Sequence, residues 1–290
     1  MRSARVLGAS LLIGALTLTA CGGAEEGARP AESTPSGPQR IVSLSSTATE
    51  MLFAIGAGKQ VVAVDEYSTF PAEAPKTKLS GFKPNAEAII GYKPDLVVLS
   101  GDMDGIVAAL GKVKIPVRIE APAAKIEDSY AQLADLGSAT GHSVEAAEVA
   151  KKMRERIDAA VAAAPKKQGV TYFHELTTDL DTVSAKSFLG QVYALFGLTN
   201  IADAADKQGT GYTRLSSEAV VKADPKLIFL GDSVGAAQSP ATVAKRPGWA
   251  GLTAVRDDGV IALDDDLASR WGPRLPELVE TVSAAVKRAG

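Results

Sequence analysis

The sequence predicts an α/β protein of two related lobes, each on a largely parallel sheet, joined by one long α-helix. Three observations carry this. From Arg40 onward, short β-rich apolar runs alternate with helix-length segments, the pattern of βαβ units rather than hairpins. Val144–Ala164 is rich in Ala, Glu, Lys and Arg and contains no Gly or Pro, a composition with high helix propensity. Finally, a segment recurs. Asn85–Ser100 (NAEAIIGYKPDLVVLS) aligns without a gap on Ser216–Gly231 (SSEAVVKADPKLIFLG). Glu87 falls on Glu218, Pro94 on Pro225 and Leu96 on Leu227, an offset of 131 (218 − 87). Convergence on a common helix–turn–strand unit is the alternative; Glu and Pro in register favour duplicated lobes.

The N-terminus reads as a targeting segment. Arg2 and Arg5 precede an apolar run from Val6 to Leu18, short of the ~20 residues that span a bilayer. It ends in Leu18-Thr19-Ala20-Cys21, and Cys21 is the one cysteine of the chain. Small residues before a lone Cys resemble the lipobox of bacterial lipoproteins. Residues 1–20 are then a signal peptide, and the Cys21 thiol carries a lipid. An ordinary secretory signal with an incidental Cys is the alternative. Residues 21–39 are dominated by Gly, Pro, Ser, Ala and Glu without apolar periodicity, the composition of a flexible tether.

The body follows in order. Strands are predicted at Ile41–Leu44, Val61–Val64, Leu96–Leu99 and Val117–Ile119, giving an N-terminal α/β lobe over 40–142. The long helix occupies 143–165, with His142-Ser143 as its N-cap and Pro165 as its stop. At 1.5 Å per residue its stretch Val144–Ala164 spans roughly 31 Å. It serves as a stiff connector or as one more packing helix. Strands at Val170–Phe173, Leu227–Leu230 and Val260–Leu263 place a C-terminal α/β lobe over 166–290.

Composition excludes several function classes. Thirty-one Lys and Arg stand against 34 Asp and Glu, a net charge of −3, so no basic surplus points to nucleic acid. A single Cys rules out an intramolecular disulfide and a Cys-based zinc site. The two histidines, His142 and His174, are too few for a three-His metal centre.

Asn85 and Ser216 or Ser217 are natural helix caps, which puts Glu87 and Glu218 in matching first turns. The helix dipole favours a carboxylate there by about 0.3–1 kcal/mol. Thr47-Ala-Thr-Glu50 likewise fits a capping box. Two equivalent glutamates, one per lobe, also suit two equivalent cations on a two-fold partner.

Arg40–Gly56 (RIVSLSSTATEMLFAIG), Tyr92–Leu99 (YKPDLVVL), Phe188–Ile201 (FLGQVYALFGLTNI) and Arg246-Pro-Gly-Trp249 together resemble the substrate-binding lipoproteins of ABC importers for cobalamin, ferric siderophores and haem. The resemblance runs from Arg40 to the end. It implies two Rossmann-like lobes with the ligand cleft between them and the long helix as connector. It implies a monomer, anchored extracytoplasmically by lipid, that delivers a small-molecule metal chelate to an ABC permease dimer with its ATPase. Glu87 and Glu218 are then the docking residues. No other covalent cofactor, no metal held by the protein itself, no catalysis and no nucleic-acid partner are implied.

Cleft candidates come from loops after strand ends, where α/β sheets bind ligands. Tyr67 follows Val61–Val64, Phe82 lies in Ser80-Gly-Phe-Lys83, and Tyr212 in Gly209-Thr-Gly-Tyr-Thr-Arg214. With aromatics at only 5% of the chain, three in such loops invite stacking on a flat ring. Asp266 and Arg270 follow Val260–Leu263 and can bond amides, carboxylates or phosphate. In the resemblance these five match ligand-contacting positions of cobalamin binders, with Phe82 and Tyr212 standing where Trp is usual. Ordinary packing for the aromatics, and an interlobe salt bridge for Arg270, are the alternatives. Cobalamin is slightly favoured. Arg214, Arg270 and Arg274 would suit an anionic ferric siderophore. For haem, His174 or a Tyr is the axial candidate, unless His174 is an internally bonded strand-end residue.

Two other classes bear weighing. Gly231-Asp-Ser-Val-Gly235 fits G-x-S-x-G after a strand, as in a lipid-anchored esterase using Ser233. No His follows Ser233, as that hydrolase order requires. The other is a signalling or structural lipoprotein that retains the two-lobed fold without a ligand.

Overall fold

A computed structural model describes residues 37–164 and 169–289. The signal peptide, Cys21, most of the tether and Pro165 lie outside the described residues. In chain order the elements are β1 (Ile41–Leu44), α1 (Ser46–Ala54), β2 (Val61–Asp65), β3 (Lys76–Leu79), α2 (Ala86–Gly91), β4 (Leu96–Leu99), α3 (Ile106–Lys112), β5 (Val117–Ile119) and α4 (Ile126–Thr140). Then come α5 (Ser143–Ala163), β6 (Thr171–Glu175), β7 (Asp181–Val183), α6 (Phe188–Ala194), β8 (Thr199–Asn200), β9 (Tyr212–Arg214), α7 (Ser217–Ala223) and β10 (Leu227–Leu230). The chain closes with α8 (Pro240–Ala244), α9 (Thr253–Arg256), β11 (Val260–Ala262), α10 (Asp265–Ser269) and α11 (Leu275–Arg288).

The first sheet has the order β3-β2-β1-β4-β5, and every pair in it is parallel. The second runs β11-β10-β6-β7-β9, with β8 also pairing β6. Its β6, β8, β10 and β11 pairings are parallel, while β7 and β9 join antiparallel. It is therefore a mixed sheet, parallel apart from the short β7–β9 extension. β1, β4 and β10 are buried at every position. That explains why they read as unbroken apolar runs: parallel strands are covered on both faces.

The sequence repeat lands on equivalent elements. β4 pairs with its lobe's first strand, β1, and β10 with β6, the first strand of the second sheet. Each repeat ends its helix at a residue of positive φ directly before the shared proline, Lys93 (51°) and Asp224 (43°). Such a left-handed residue closes a helix and redirects the chain into the strand.

One hydrophobic core joins both sheets. Ala146, Ala150, Met153, Ile157 and Ala160 of α5 recur at helical spacing and are buried. They share a cluster with Ile41, Val64 and Val98 of the first sheet and with Tyr172, Phe229 and Ile261 of the second. α5 is clasped from both sides. Against α4, Gly137 leaves room that a Cβ would fill, 2.5 Å from Ala146 Cβ, and the Arg154 guanidinium lies 4.1 Å over the Tyr130 ring. Against α11, Ser283 Oγ donates to Ala160 O at 2.7 Å, and Arg156 forks onto Glu280 at 2.9 and 2.8 Å. His142 occupies the N-cap position of α5, but its side chain makes no capping bond. Its Nδ1 lies 3.0 Å from Thr140 O instead.

Candidate functional site

A cavity of about 440 Å³ opens between the two lobes. On one side the carboxyl ends of the first sheet supply Leu44–Thr47 after β1, Asp65 and Tyr67 after β2, and Gly81-Phe82 after β3. Ser100 follows β4, and Pro122 lies beyond β5. On the other side stand Asp266, Ser269, Arg270 and Trp271. Strand carboxyl ends are where open α/β sheets receive ligands. A second hollow of about 390 Å³ lies at the opposite ends of β10 and β11, beside Lys226, Gly259 and Arg288, and contains none of the candidate residues.

Four of the five sequence candidates meet in the cleft. Tyr67 and Phe82 form an edge-to-face pair, centroids 5.5 Å apart at 82°, and both are well exposed, Phe82 at 68%. Asp266 and Arg270 face them from the other lobe. Tyr212 does not line the cavity; it stands on β9, 61% exposed.

Arg270 is buried and committed. Its guanidinium donates to Glu50 Oε1 at 2.8 Å, Asp266 Oδ1 at 2.6 Å, Tyr67 O at 2.8 Å and Thr69 Oγ1 at 3.2 Å. Asp266 also accepts from Thr69 Oγ1 at 2.5 Å. Arg274 forks onto the same Glu50 at 2.9 and 2.6 Å and lies 4.3 Å over the Phe70 ring. The interlobe salt bridge is thus what Arg270 makes. Glu50, 3% exposed, does not form the expected capping box. Ser45 caps α1 instead, accepting from Ala48 N at 3.3 Å. Two guanidiniums, Arg274 as a fork and Arg270 through a single bond, offer the Glu50 carboxylate stronger, charge-assisted bonds than a backbone amide would. The third candidate arginine, Arg214, is outside the cavity and spent on Asp181 at 2.7 and 3.0 Å.

His174 does not face the cleft. It is fully buried in β6, and its Nδ1 lies 2.7 Å from the Tyr193 hydroxyl. A Cβ on Gly231 would sit 2.9 Å from its Nε2, so that side is walled by backbone. Burial pushes the imidazole down from 6.5 to about 4. Ser233 is no nucleophile elbow either: its Oγ donates to the Leu263 carbonyl, and the segment after β10 is a run of turns rather than a helix.

Glu87 and Glu218 are exposed, at matching positions of α2 and α7. Asn85 caps α2 through Ala88 N at 2.9 Å, and Ser216 caps α7 through Ala219 N at 3.2 Å. The Glu218 carboxyl is held below its ordinary value by its own backbone N–H and by the Ser216 hydroxyl. Neither glutamate lines the cleft. Glu218 borders a shallow groove of about 570 Å³ with Val221, Lys222 and Pro247.

Sequence reasoning missed the hydroxyl-bearing floor, Ser45–Thr47 and Ser100, and also Asp65 and Trp271. The first three groups directly end or follow apolar strand runs, a signal that was present. Trp271 is fixed by a bond from its Nε1 to Gln132 Oε1 at 2.7 Å, across a separation no local pattern reveals.

This two-lobed, single-cleft arrangement is that of a solute receptor, and the chain belongs to the periplasmic binding protein family, whose model matches residues 41–267. It is 31% identical over 259 residues to the ABC transporter substrate-binding lipoprotein YvrC of Bacillus subtilis (strain 168), covering 86% of this chain and 80% of that one. Among solved structures it resembles the periplasmic vitamin B12 binding protein BtuF of Vibrio cholerae, at 26% identity and a TM-score of 0.71 over 87% of this chain and 98% of that one. It also shares its fold with the periplasmic heme-binding protein RhuT of Roseiflexus sp. RS-1, with a TM-score of 0.75 at 24% identity over 88% and 100% of the two chains. The chain is a binding protein of an ABC importer, not an enzyme.

The buried histidine makes a stability prediction. A base whose folded pKa lies at about 4, against 6.5 unfolded, adds stability that is complete above pH 6.5. That stability is lost as pH falls toward 4, because the unfolded chain gains a proton the folded one refuses. Urea titrations of wild type and His174→Gln should therefore differ most at pH 7 and converge toward pH 4.5. Parallel curves across that range would exclude this role.

Proposed function

We propose that this chain captures a bulky metal chelate of overall neutral charge, cobalamin above ferric siderophore, and delivers it to an ABC importer permease. The carrying observation is an aromatic-rimmed cleft whose arginines are already neutralised. Arg270 and Arg274 are bound to Glu50 and Asp266, so the site lacks the uncommitted cations that an anionic siderophore needs. Tyr67 and Phe82 offer ring faces and edges to a planar macrocycle. Asp266 and Arg270 supply polar contacts at the opposite wall. Tyr212 is a secondary contact, reached only by a ligand that extends past the cavity. Haem is the second reading; the fold shared with a heme-binding protein favours it, whereas the burial of His174 removes one axial candidate.

The direct test is titration of the purified protein with cyanocobalamin, a ferric siderophore and haemin. Trp271 lines the cleft and reports binding, whereas Trp249 is fully buried elsewhere. Phe82→Ala should weaken chelate binding by roughly 1–3 kcal/mol, about 5- to 150-fold, as for a buried aromatic anchor. Tyr212→Ala should cost less. Tight uptake of free zinc with no response to any chelate would overturn the reading.

Glu87 and Glu218 dock the loaded receptor, as a monomer, onto a permease dimer served by its ATPase, each carboxylate meeting a permease cation. The support is their exposure at one repeat position on each lobe of a body with a shared core. Because two contacts on one rigid body act multivalently, Glu87→Arg with Glu218→Arg should abolish uptake in cells. Either single change should only weaken it, and ligand titration should stay unchanged. Normal uptake by the double variant would leave the glutamates as helix-terminal charges only.

Lipid on Cys21 holds the receptor at the outer face of the cell membrane, the tether letting the body reach the permease. Cys21→Ala should move the protein out of the membrane fraction, and incorporation of labelled fatty acid by that variant would count against the anchor.

A further inference from the structure

Asp65 ends β2 and borders the cleft, yet it is only 3% exposed. Its carboxylate is used on one side. Oδ1 accepts from Ser68 Oγ at 2.6 Å, and Ser68 is fixed in turn by the Thr49 hydroxyl at 2.9 Å. Oδ2 has no hydrogen-bond partner among the described residues. In front of it stands Gly81, where a Cβ would come 2.9 Å from Oδ2 and 2.6 Å from Leu44 O. The glycine is needed for space, and its missing side chain keeps Oδ2 open to the cavity.

In the free cleft Oδ2 is open to solvent, but a ligand that covers it without offering a donor leaves a charged acceptor unpaired, a cost of the order of a lost hydrogen bond to a charged group. Burial pushes the Asp65 carboxyl up, and Ser68 and Arg270 pull it back toward the ionised form. The charge around it offers no second cation. Asp65, Asp266 and Arg270 line the cavity, while Arg274 offsets Glu50 behind it. The wall is therefore negative by one charge, and the open Asp65 oxygen is its charged acceptor, beside the neutral hydroxyls of Ser46, Thr47 and Ser100.

We propose that Asp65 Oδ2 sets the specificity of the cleft: it accepts a hydrogen bond from an N–H or O–H on the rim of the ligand, such as a primary carboxamide, and rejects a carboxylate at the same place. A site built to receive a donor discriminates strongly, because the wrong ligand leaves a buried group unpaired or sets like charges together. This rests on the chelate-receptor reading above and adds the chemistry of the ligand's periphery to it.

The test compares cyanocobalamin, rimmed by primary carboxamides, with haemin, rimmed by propionates, on wild type, Asp65→Asn and Asp65→Ala. Asp65→Asn keeps shape and can keep the Ser68 bond, while turning an NH2 donor toward the cleft. It should lose about tenfold in cyanocobalamin affinity, the effect of one hydrogen bond to a charged group, and should gain affinity for haemin. Asp65→Ala should lose cyanocobalamin affinity by a similar factor with a smaller gain for haemin. Thermal melting followed through Trp249 checks that both variants fold. An unchanged cyanocobalamin-to-haemin ratio in both variants overturns the inference, as does an equal loss for both ligands. If wild type takes up neither of these chelates nor a ferric siderophore, the receptor reading itself fails and takes this inference with it. Binding by wild type without a shift in the ratio sinks this inference alone.

Discussion

Glu50 is a carboxylate taken out of water and held between two guanidiniums from the opposite lobe, and the cleft depends on it. Burying such a charge costs several kcal/mol, a penalty offset only when good geometry and further bonds satisfy it. Here they do. Arg274 approaches as a fork, and Arg270 adds a third bond through Nη1 while its Nη2 serves Asp266, Tyr67 O and Thr69. Removing one partner of such a set leaves a buried charge uncompensated, a loss of about 3–5 kcal/mol in comparable cases. The same bonds that join the lobes therefore hold both arginines in place with their charges compensated.

The clamp works on lobes that are already bound together. The stripe Ala146–Ala160 of α5 belongs to a core containing strands of both sheets, so opening the cleft widely would expose apolar surface at roughly 25 cal/mol per Å². With α4 and α11 gripping α5 on either side, the wall positions of the cleft are set before ligand arrives. A preorganised site loses less entropy on binding. It also makes a single misplaced polar group, such as the open oxygen of Asp65, weigh more heavily in the choice of ligand.

Much of this was legible in the sequence, for local reasons. Apolar runs announce strands, most fully where both faces are buried, and seven were readable. β3 (KTKL), β7 (DTV), β8 (TN) and β9 (YTR) were not. They are short, and their polar and charged residues give no apolar run to recognise. The repeat was readable because its helix and strand occupy equivalent places beside β1 and β6. At the site, Tyr67, Phe82, Asp266 and Arg270 could be found from their loops at strand ends, whereas Tyr212, chosen by the same rule, sits on an exposed strand away from the cavity. Glu50 was misread because its local spacing satisfies a capping box, while its true partners lie 220 and 224 positions further on. No window along the chain contains them.

The clamp also narrows what Arg270 can be. A side chain that joins Glu50, Asp266 and the Tyr67 loop cannot swing out to meet a ligand without releasing a buried carboxylate, so its contribution to binding comes from where it already is. It sets the height of the Tyr67 loop through the carbonyl bond, and Tyr67 in turn supports Phe82 edge-to-face. Charge at the base of the cleft and aromatic surface at its rim are thus one mechanical unit. A ligand that stacks on the ring pair gains from a rim held in place by an interaction it never touches. A broad, rigid ring system offers such a rim more surface to stack on than a small ion does. The interlobe ion pair and the taste for a bulky chelate are consequences of the same geometry.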